Sequence, residues 1–499
     1  MSDPLLLAID QGTTGCAAFV FDAAGAIRGK GYAEFNQYFP EPGWVEHDAE
    51  EIWEVTCRVI DQAFKQERLN PADVAGIGIT NQRETTVIWD RANAQPIARA
   101  IVWQDRRTAG ICDRLRDDGR AEAIRTKTGL LPDPYFSGTK IQWLLDQDPR
   151  LRKRAEAGEL AFGTIDTWLI WKLTGGRVHA TDPSNASRTL LFNIHTLEWD
   201  RDLLDWMNIP ASLLPEVKSS CGIFGETDPD AFFGRKVPIG GVAGDQQAAL
   251  FGQTCFEPGM AKNTYGTGSF ILMNTGTEAV PSSQGLLTTI AWKIGDEPVQ
   301  YALEGSVFIS GAAIQWLRDG LQIIESAAET EVLARSISGN DGVYFVPALT
   351  GLGAPHWDPH ARGLIIGLTR GTTRAHLVRA ALEAICYQSR DVADTMQQES
   401  GIPLQKLRAD GGAVVNPFLM QHQSDILGVK IEIPTINETT ALGAAYLAGL
   451  ATGVWSSLEE ISEKWSIRNT YLPLMDKNES DSLYKQWLRA VNRSKAWAS

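Results

Sequence analysis

Cysteine is scarce in this chain: six in 499 residues, at Cys16, Cys57, Cys112, Cys221, Cys255 and Cys386, with no C-x-x-C pair and none grouped with histidine. That spacing offers neither a zinc cradle nor a disulfide framework, so reduced, structural thiols are expected. Histidine is no richer, at seven. His356 and His360 have the i, i+4 spacing of a helical metal site, but Pro359 stands where that helix would have to continue. Basic charge is in deficit: 46 Lys and Arg against 61 Asp and Glu give a formal net charge of −15, which disfavours binding along a nucleic-acid backbone. No apolar run nears the ~18 residues a bilayer span requires, and Leu5–Ile9 meets Asp10 without a basic flank. A soluble, cytoplasmic protein is expected. Two nucleotide motifs are missing as well. Gly25-Ala-Ile-Arg-Gly29-Lys30 is one residue short of a Walker A loop and lacks its Ser/Thr, and no G-x-G-x-x-G opens a helix.

What is present is an apolar content of 43% with 21% charged residues, enough for deep cores in two or three domains. Leu5–Asp10, a Gly/Thr-rich turn, Ala17–Asp22, a second turn and Ile27 onward read as a three-stranded meander. Asp48-x-x-Glu51 reads as a capping box ahead of the helical spacing Ile52, Val55, Val59, Ile60, and Val74–Thr80 as a short apolar strand. Near the middle, Val237–Ala243 reads as a strand leading through Gly244-Asp245-Gln246-Gln247 into a short helix. The opening pattern then recurs: strand Met260–Tyr265, polar turn Gly266-Thr-Gly268-Ser269, strand Phe270–Met273. Two related mixed α/β halves are therefore expected, residues 1–253 and 254–499. In the second, Thr373–Gln398 reads as a helix stopped by Gly401, and Asn416-Pro417 opens another that Gly428 closes. The charged segment after Pro473 reads as a peripheral amphipathic helix.

Three polar turns follow strands: Asp10-Gln-Gly-Thr-Thr14, Gly266-Thr-Gly-Ser269 and Asp410-Gly-Gly412. Glycine in such turns lets backbone N–H groups close on phosphate or ribose oxygens. Any one of them is an ordinary turn; three in one chain point to a nucleotide held between two lobes.

At these turns the chain resembles the sugar-kinase/actin/heat-shock-chaperone superfamily. Tyr135-Phe-Ser-Gly-Thr-Lys140-Ile-Gln-Trp143-Leu-Leu-Asp-Gln147 resembles the first carbohydrate-kinase signature, and Gly363–Gly367 through Leu382-Glu383 the second. Asn81-Gln-Arg83-Glu84-Thr, Val102-Trp103-Gln-Asp-Arg106-Arg, Gly244-Asp245-Gln246-Gln-Ala and Asp410-Gly-Gly-Ala-Val are similar to the glycerol-phosphorylating members over nearly the whole chain. The resemblance implies two related actin-like (ribonuclease-H-like) α/β lobes with an ATP cleft between them. It also implies transfer of the ATP γ-phosphoryl group to glycerol, Mg²⁺ as cofactor, and a homo-oligomer, since the family is often dimeric or tetrameric.

By the same resemblance Arg83, Glu84, Trp103, Tyr135, Asp245, Gln246 and Phe270 bind the acceptor, with Asp245 as catalytic base. Nucleotide contacts fall to Thr13, Thr14, Gly15, Thr267, Gly311, Gln315, Gly412 and Asn416, and metal contacts to Asp10 and Asp245. The residue types suit a small triol, since Arg83 beside Glu84 offers five donors next to a carboxylate acceptor. Two departures stand out. Gly15, Cys16 and Ala17 replace the Ser-Ser-Arg of most relatives, removing a phosphate-binding guanidinium, and Asp230-Ala-Phe-Phe-Gly234 lacks the histidine that some relatives phosphorylate as a switch.

Overall fold

The computed structural model describes residues 4–498. Strands Leu5–Gln11 (β1), Gly15–Asp22 (β2) and Ile27–Glu34 (β3) form the expected meander, with Asp10 opposite Ala17 and Ala17 opposite Tyr32. Helix Ala49–Gln66 (α1) returns the chain so that Val74–Asn81 (β4) lies parallel to β1 and puts Thr80 beside Asp10. Cys221–Glu226 (β5) and Pro238–Gly244 (β6) complete a six-stranded sheet ordered β5-β6-β4-β1-β2-β3, and helix Asp245–Gly252 (α2) leaves directly from β6. α1 starts at Asp48, whose carboxylate accepts from the N–H groups of Glu50 and Glu51. The reciprocal half of the box is absent because Glu51 is engaged elsewhere: its carboxylate accepts from the Asn36 backbone N–H at 3.1 Å and from its side-chain amide at 2.8 Å.

The second sheet has seven strands: Met260–Tyr265 (β7), Ser269–Gly276 (β8), Leu287–Trp292 (β9), Gln300–Val307 (β10), Lys406–Gly411 (β11), Lys430–Pro434 (β12) and Ile467–Tyr471 (β13). Its inner five, β10-β8-β7-β11-β12, repeat the order and the parallel and antiparallel pairing of β3-β2-β1-β4-β6. β1 and β7 are thus equivalent central strands, and the turn after each opens at the same edge of its sheet. Helix Arg374–Ser400 (α3) is capped by Thr373 and ended by Gly401 at φ 68°; Pro417–Leu427 (α4) is capped by Asn416 and ended by Gly428 at φ 67°. Lys477–Ser494, the last helix, is not peripheral. Its Trp487 is fully buried, stacks on Tyr387 and donates to Asp391 at 3.0 Å, so the charged residues between its apolar positions merely cover one face of the second core.

Helix Thr439–Ala451 (α5) belongs by sequence to the second half yet packs on the first sheet and on α2. Small residues make this possible. A Cβ on Gly443 would stand 1.9 Å from the Ala248 carbonyl oxygen, one on Gly252 2.0 Å from that of Thr439, and one on Gly78 2.1 Å from that of Ala444. Backbone therefore meets backbone, and the apolar cluster around the crossing joins Leu6, Ala8 and Phe19 of the first sheet to Met260 and Leu272 of the second. Gly443→Ala is expected to lower unfolding free energy by about 1–3 kcal/mol through overpacking. Gly110→Ala, where a Cβ meets nothing within 4 Å in helix Ala109–Asp117, should raise it by ~0.5–1 kcal/mol. Urea unfolding of both variants checks the contrast, and equal midpoints would contradict it.

Candidate active site

The turn after β1 and the turn after β4 form one unit. The Gln82 N–H donates to the Gln11 carbonyl at 2.7 Å, and its side-chain amide donates to Gln11 Oε1 at 3.1 Å and to the Gly12 carbonyl at 3.2 Å. Two residues on, Glu84 is buried with φ at 61°, a left-handed conformation that a glutamate holds only when its surroundings enforce it. The enforcement is visible: the Glu84 carbonyl accepts from Thr86 Oγ1 at 3.1 Å and Ser137 Oγ at 2.9 Å. Such strain at one residue of a cleft-floor turn marks it as built for something other than stability.

Beneath this turn lies a buried ionic cluster. Arg83 donates to Glu304 on β10 through both terminal nitrogens, at 2.5 and 3.0 Å, to Gln247 Oε1 at 3.2 Å and to the Tyr135 hydroxyl at 3.4 Å. Its Nε lies 3.2 Å from Asp245 Oδ1. Arg188 completes the ring, donating from Nε to Glu84 at 2.7 Å and from Nη2 to Glu304 at 3.1 Å. Two guanidinium groups thus face two carboxylates with all four side chains essentially excluded from solvent. Burial would raise the Glu304 carboxyl, but Arg188 and Arg83 hold it down at about 2. The cluster fixes Arg83 and Glu84 from behind, so each side chain is held in one orientation. Sequence reading missed Arg188 and Glu304, which lie 104 or more residues from the carboxylate and guanidinium groups they bind and sit in no polar motif; Gln247 stands in the motif after β6 but sequence alone gives it no role, because its partner Arg83 lies 164 residues away.

Around this floor the predicted residues divide into two groups. Trp103 packs edge-on against Tyr135, ring centres 5.4 Å apart, and its indole N–H donates to Thr13 Oγ1 at 2.9 Å, so the aromatic wall also steadies the first turn. Asp245 is the first residue of α2 rather than its cap; it accepts from the Gln246 N–H at 2.7 Å and keeps 31% of its side chain exposed. Phe270 lies half-buried on β8, opposite Thr264 and Ser306. On the second lobe Thr267 and Gly311 come together: the Gly311 N–H donates to the Gly266 carbonyl at 3.0 Å, the Ala312 N–H to that of Thr267 at 3.0 Å, and a Cβ on Gly311 would stand 2.6 Å from Gly266 O. Gln315 ends that short helix with its side chain exposed. A Cβ on Gly412 would meet nothing within 4 Å, whereas Asn416 caps α4 and donates to Thr330 at 3.1 Å. The third turn points its acid inward: Asp410 is buried and accepts from Gln253 at 2.8 Å and from Thr439.

The sequence matches the N-terminal domain of the FGGY family of carbohydrate kinases over residues 5–252 and the C-terminal domain of the same family over residues 261–452. The chain belongs to the FGGY family of carbohydrate kinases. Among its relatives are a glycerol kinase of Carboxydothermus hydrogenoformans, 60% identical with 100% of this chain and 99% of that protein covered, and glycerol kinase 2 of Thermotoga maritima, 59% identical with 99% of each covered. The solved structure of Plasmodium falciparum glycerol kinase with ADP superposes with a TM-score of 0.94 at 38% identity, covering 99% of this chain and 98% of that one.

In this FGGY kinase a cavity of about 660 Å³ opens at the first turn, lined among others by Asp10, Gly12, Thr14, Ala17, Lys30 and Glu438. Burial, reinforced by Asp245 and Glu438, pushes the Asp10 carboxyl up to about 7. Like charges pressed together at a cleft are the donor chemistry of a hard dication. Among the described residues no group of three His, Cys, Asp or Glu stands close enough to hold a metal ion.

Removing Glu304's charge strands two buried guanidiniums, so Glu304→Gln should cost about 3–5 kcal/mol at pH 7. Because the folded-state pKa is depressed, this stability is present above the ordinary carboxylate range and is lost as pH falls toward about 2. Urea unfolding at pH 7, 4.5 and 3.5 should show the variant and the parent converging on acidification.

Proposed function

We propose that this protein transfers the γ-phosphoryl group of ATP to a terminal hydroxyl of glycerol, yielding glycerol 3-phosphate and ADP, the first step of glycerol catabolism. The observation that carries the reading is the meeting of Arg83, Glu84, Tyr135 and Asp245 at one cleft floor, in a chain 60% identical over its full length to a glycerol kinase. Glycerol has three hydroxyls on a short carbon chain. The Glu84 carboxylate and the Asp245 carboxylate accept from hydroxyls, Arg83, whose 3.4 Å contact with the Tyr135 hydroxyl gives way, and the Tyr135 phenol donate to them, and Trp103 and Phe270 wall the carbons. Gln246, next to Asp245, completes the set. The relative solved with ADP supports nucleotide use, and the facing turns of the two sheets lead us to seat the nucleotide between them. On that reading Thr13, Thr14 and Gly15 face its phosphates from one lobe and Thr267 from the other, with Gly311, Gln315, Gly412 and Asn416 on the nucleoside side. We place the hinge near residue 253, where Gln253 binds Asp410.

In the reaction, Asp245 accepts the proton of the attacking hydroxyl while that oxygen forms its bond to the γ-phosphorus, and the bond from phosphorus to the β–γ bridging oxygen breaks in line to release ADP. The terminal N–H groups of the two turns stabilise charge on the moving phosphoryl oxygens. Asp10 and Asp245 would hold Mg²⁺, which would neutralise charge on the nucleotide's phosphates when bound. Closure of the lobes excludes water and so suppresses hydrolysis.

ADP release in a coupled assay with glycerol, xylulose, ribulose, gluconate or no acceptor tests the reading: glycerol should be preferred, and turnover only without acceptor would overturn it. Asp245→Asn keeps the shape and cannot take the proton, so kcat should fall by ~10²–10⁴ with glycerol still bound; single-turnover quench-flow checks it, and a chemical step slowed less than tenfold would leave Asp245 only an orienting role. Ala17 lines the 660 Å³ cavity beside Gly12 and Thr14, so an arginine has room there. A charged hydrogen bond to phosphate is worth ~1.5–3 kcal/mol, and Ala17→Arg should tighten ADP by about ten- to a hundred-fold in calorimetric titration.

A further inference from the structure

Lys262 is fully buried in the middle of β7, between the two groups of site residues. Its Nζ donates to Gln246 Oε1, next to Asp245, and at 3.1 Å to Thr264 Oγ1, three residues before Thr267 on the second polar turn. Both acceptors are neutral oxygens, and an ammonium carries three donors, so one N–H is left for the cleft floor. As a device for stability this is poor chemistry, because a buried ammonium needs a carboxylate in direct contact to offset its desolvation. The charged groups that face it are Asp410, Asp245 and Glu304 on the favourable side and Arg83 on the unfavourable one, and burial outweighs them, pushing the amine down to about 8. A cation retained against that penalty, bridging the acceptor residue Gln246 to the strand that carries the phosphate turn, is placed where negative charge crosses from nucleotide to acceptor.

We propose that Lys262 is a positioning residue of the transfer reaction: it holds the Gln246 side chain against the acceptor and keeps a desolvated positive charge at the seam between the acceptor site and the Gly266–Ser269 turn. This rests on the phosphorylation reading above. The two parts of the role are separable by substitution. Lys262→Met fills the same volume with neither charge nor hydrogen bond; Lys262→Gln keeps a donor for Gln246 and Thr264 but no charge.

The experiment measures kcat, the KM for glycerol and for ATP, and the thermal midpoint of the full-length parent and both variants. Lys262→Met should melt at or above the parent, because a buried ammonium is relieved, while kcat falls roughly 10–100-fold and the glycerol KM rises about threefold or more. Lys262→Gln should restore the glycerol KM to near the parent's and leave kcat low. A folded Lys262→Met variant with kcat within about threefold of the parent overturns the proposal. So does loss of folding in both variants, which would make the lysine a scaffold group. A parent inert toward glycerol and ATP would instead sink the phosphorylation reading, whatever the variants do.

Discussion

The structure depends on the ring of four buried charges formed by Arg83, Glu84, Arg188 and Glu304. Such a ring is a poor choice for stability alone, because apolar residues of equal volume would serve as well or better. What it supplies is direction. Each guanidinium is gripped by carboxylates that cannot move, since neither can leave without exposing an unpaired charge to the interior. Arg83 and Glu84 therefore reach the cleft as preset groups with little conformational entropy to lose, and the strained backbone at Glu84 is tolerated because the same network pulls its side chain toward Arg188. Glu304 comes from the second sheet and the other three from the first half, so the acceptor floor exists only when both halves are assembled.

The same dependence recurs at the helix crossing. α2 carries Asp245 at its first residue and ends at Gly252, against α5. α5 in turn begins at Thr439, whose hydroxyl binds Asp410, the acid of the third turn. Small shifts of α5 against the first sheet would thus be felt at both ends, at the carboxylate proposed as base and at the turn on the nucleoside side. Close packing of backbone on backbone leaves no compressible side chains between the helices to absorb such a shift, which is the property a hinge needs if it is to rotate rather than deform.

Much of this was legible in the sequence, and the reason is locality. The three turns, the caps at Asp48 and Asn416, the stops at Gly401 and Gly428 and the internal repeat all follow from residues within a few positions of one another. The residues assigned to the acceptor rest on the family resemblance of their motifs, and among them only Arg83 beside Glu84 suggests its chemistry from the residue types alone. Arg188, Glu304 and Lys262 escaped because each stands among ordinary strand or turn residues, and its importance, like that of Gln247 on α2, arises from partners that only folding brings near. The last helix was misread for a related reason: its charged face dominates the pattern, while Trp487 is buried by α3, which the segment itself does not announce. Asp410 shows the converse. A Gly-rich turn after a strand looks open to a ligand, but its carboxylate is already engaged by Gln253 and Thr439.

Charge along the cleft gives the remaining step. The cavity at the first turn has Asp10 and Glu438 on its wall with Asp245 close by, and Lys30 on β3 is the one cationic side chain among its lining residues. Free nucleoside triphosphate would bring further negative charge into that company and be repelled; the same nucleotide carrying a dication would relieve the repulsion that already raises Asp10. On the phosphorylation reading proposed above, such a site would favour the metal complex of the nucleotide over metal-free nucleotide through the carboxylates themselves, with no separate recognition element. The replacement of a guanidinium by Ala17 sharpens this logic, because it removes from the first turn a fixed charge that would otherwise attract phosphate with or without metal. On that reading the positive charge that meets the phosphoryl group would come chiefly from what arrives with the nucleotide and from the second lobe, which would make closure of the two halves a condition for catalysis as well as for exclusion of water.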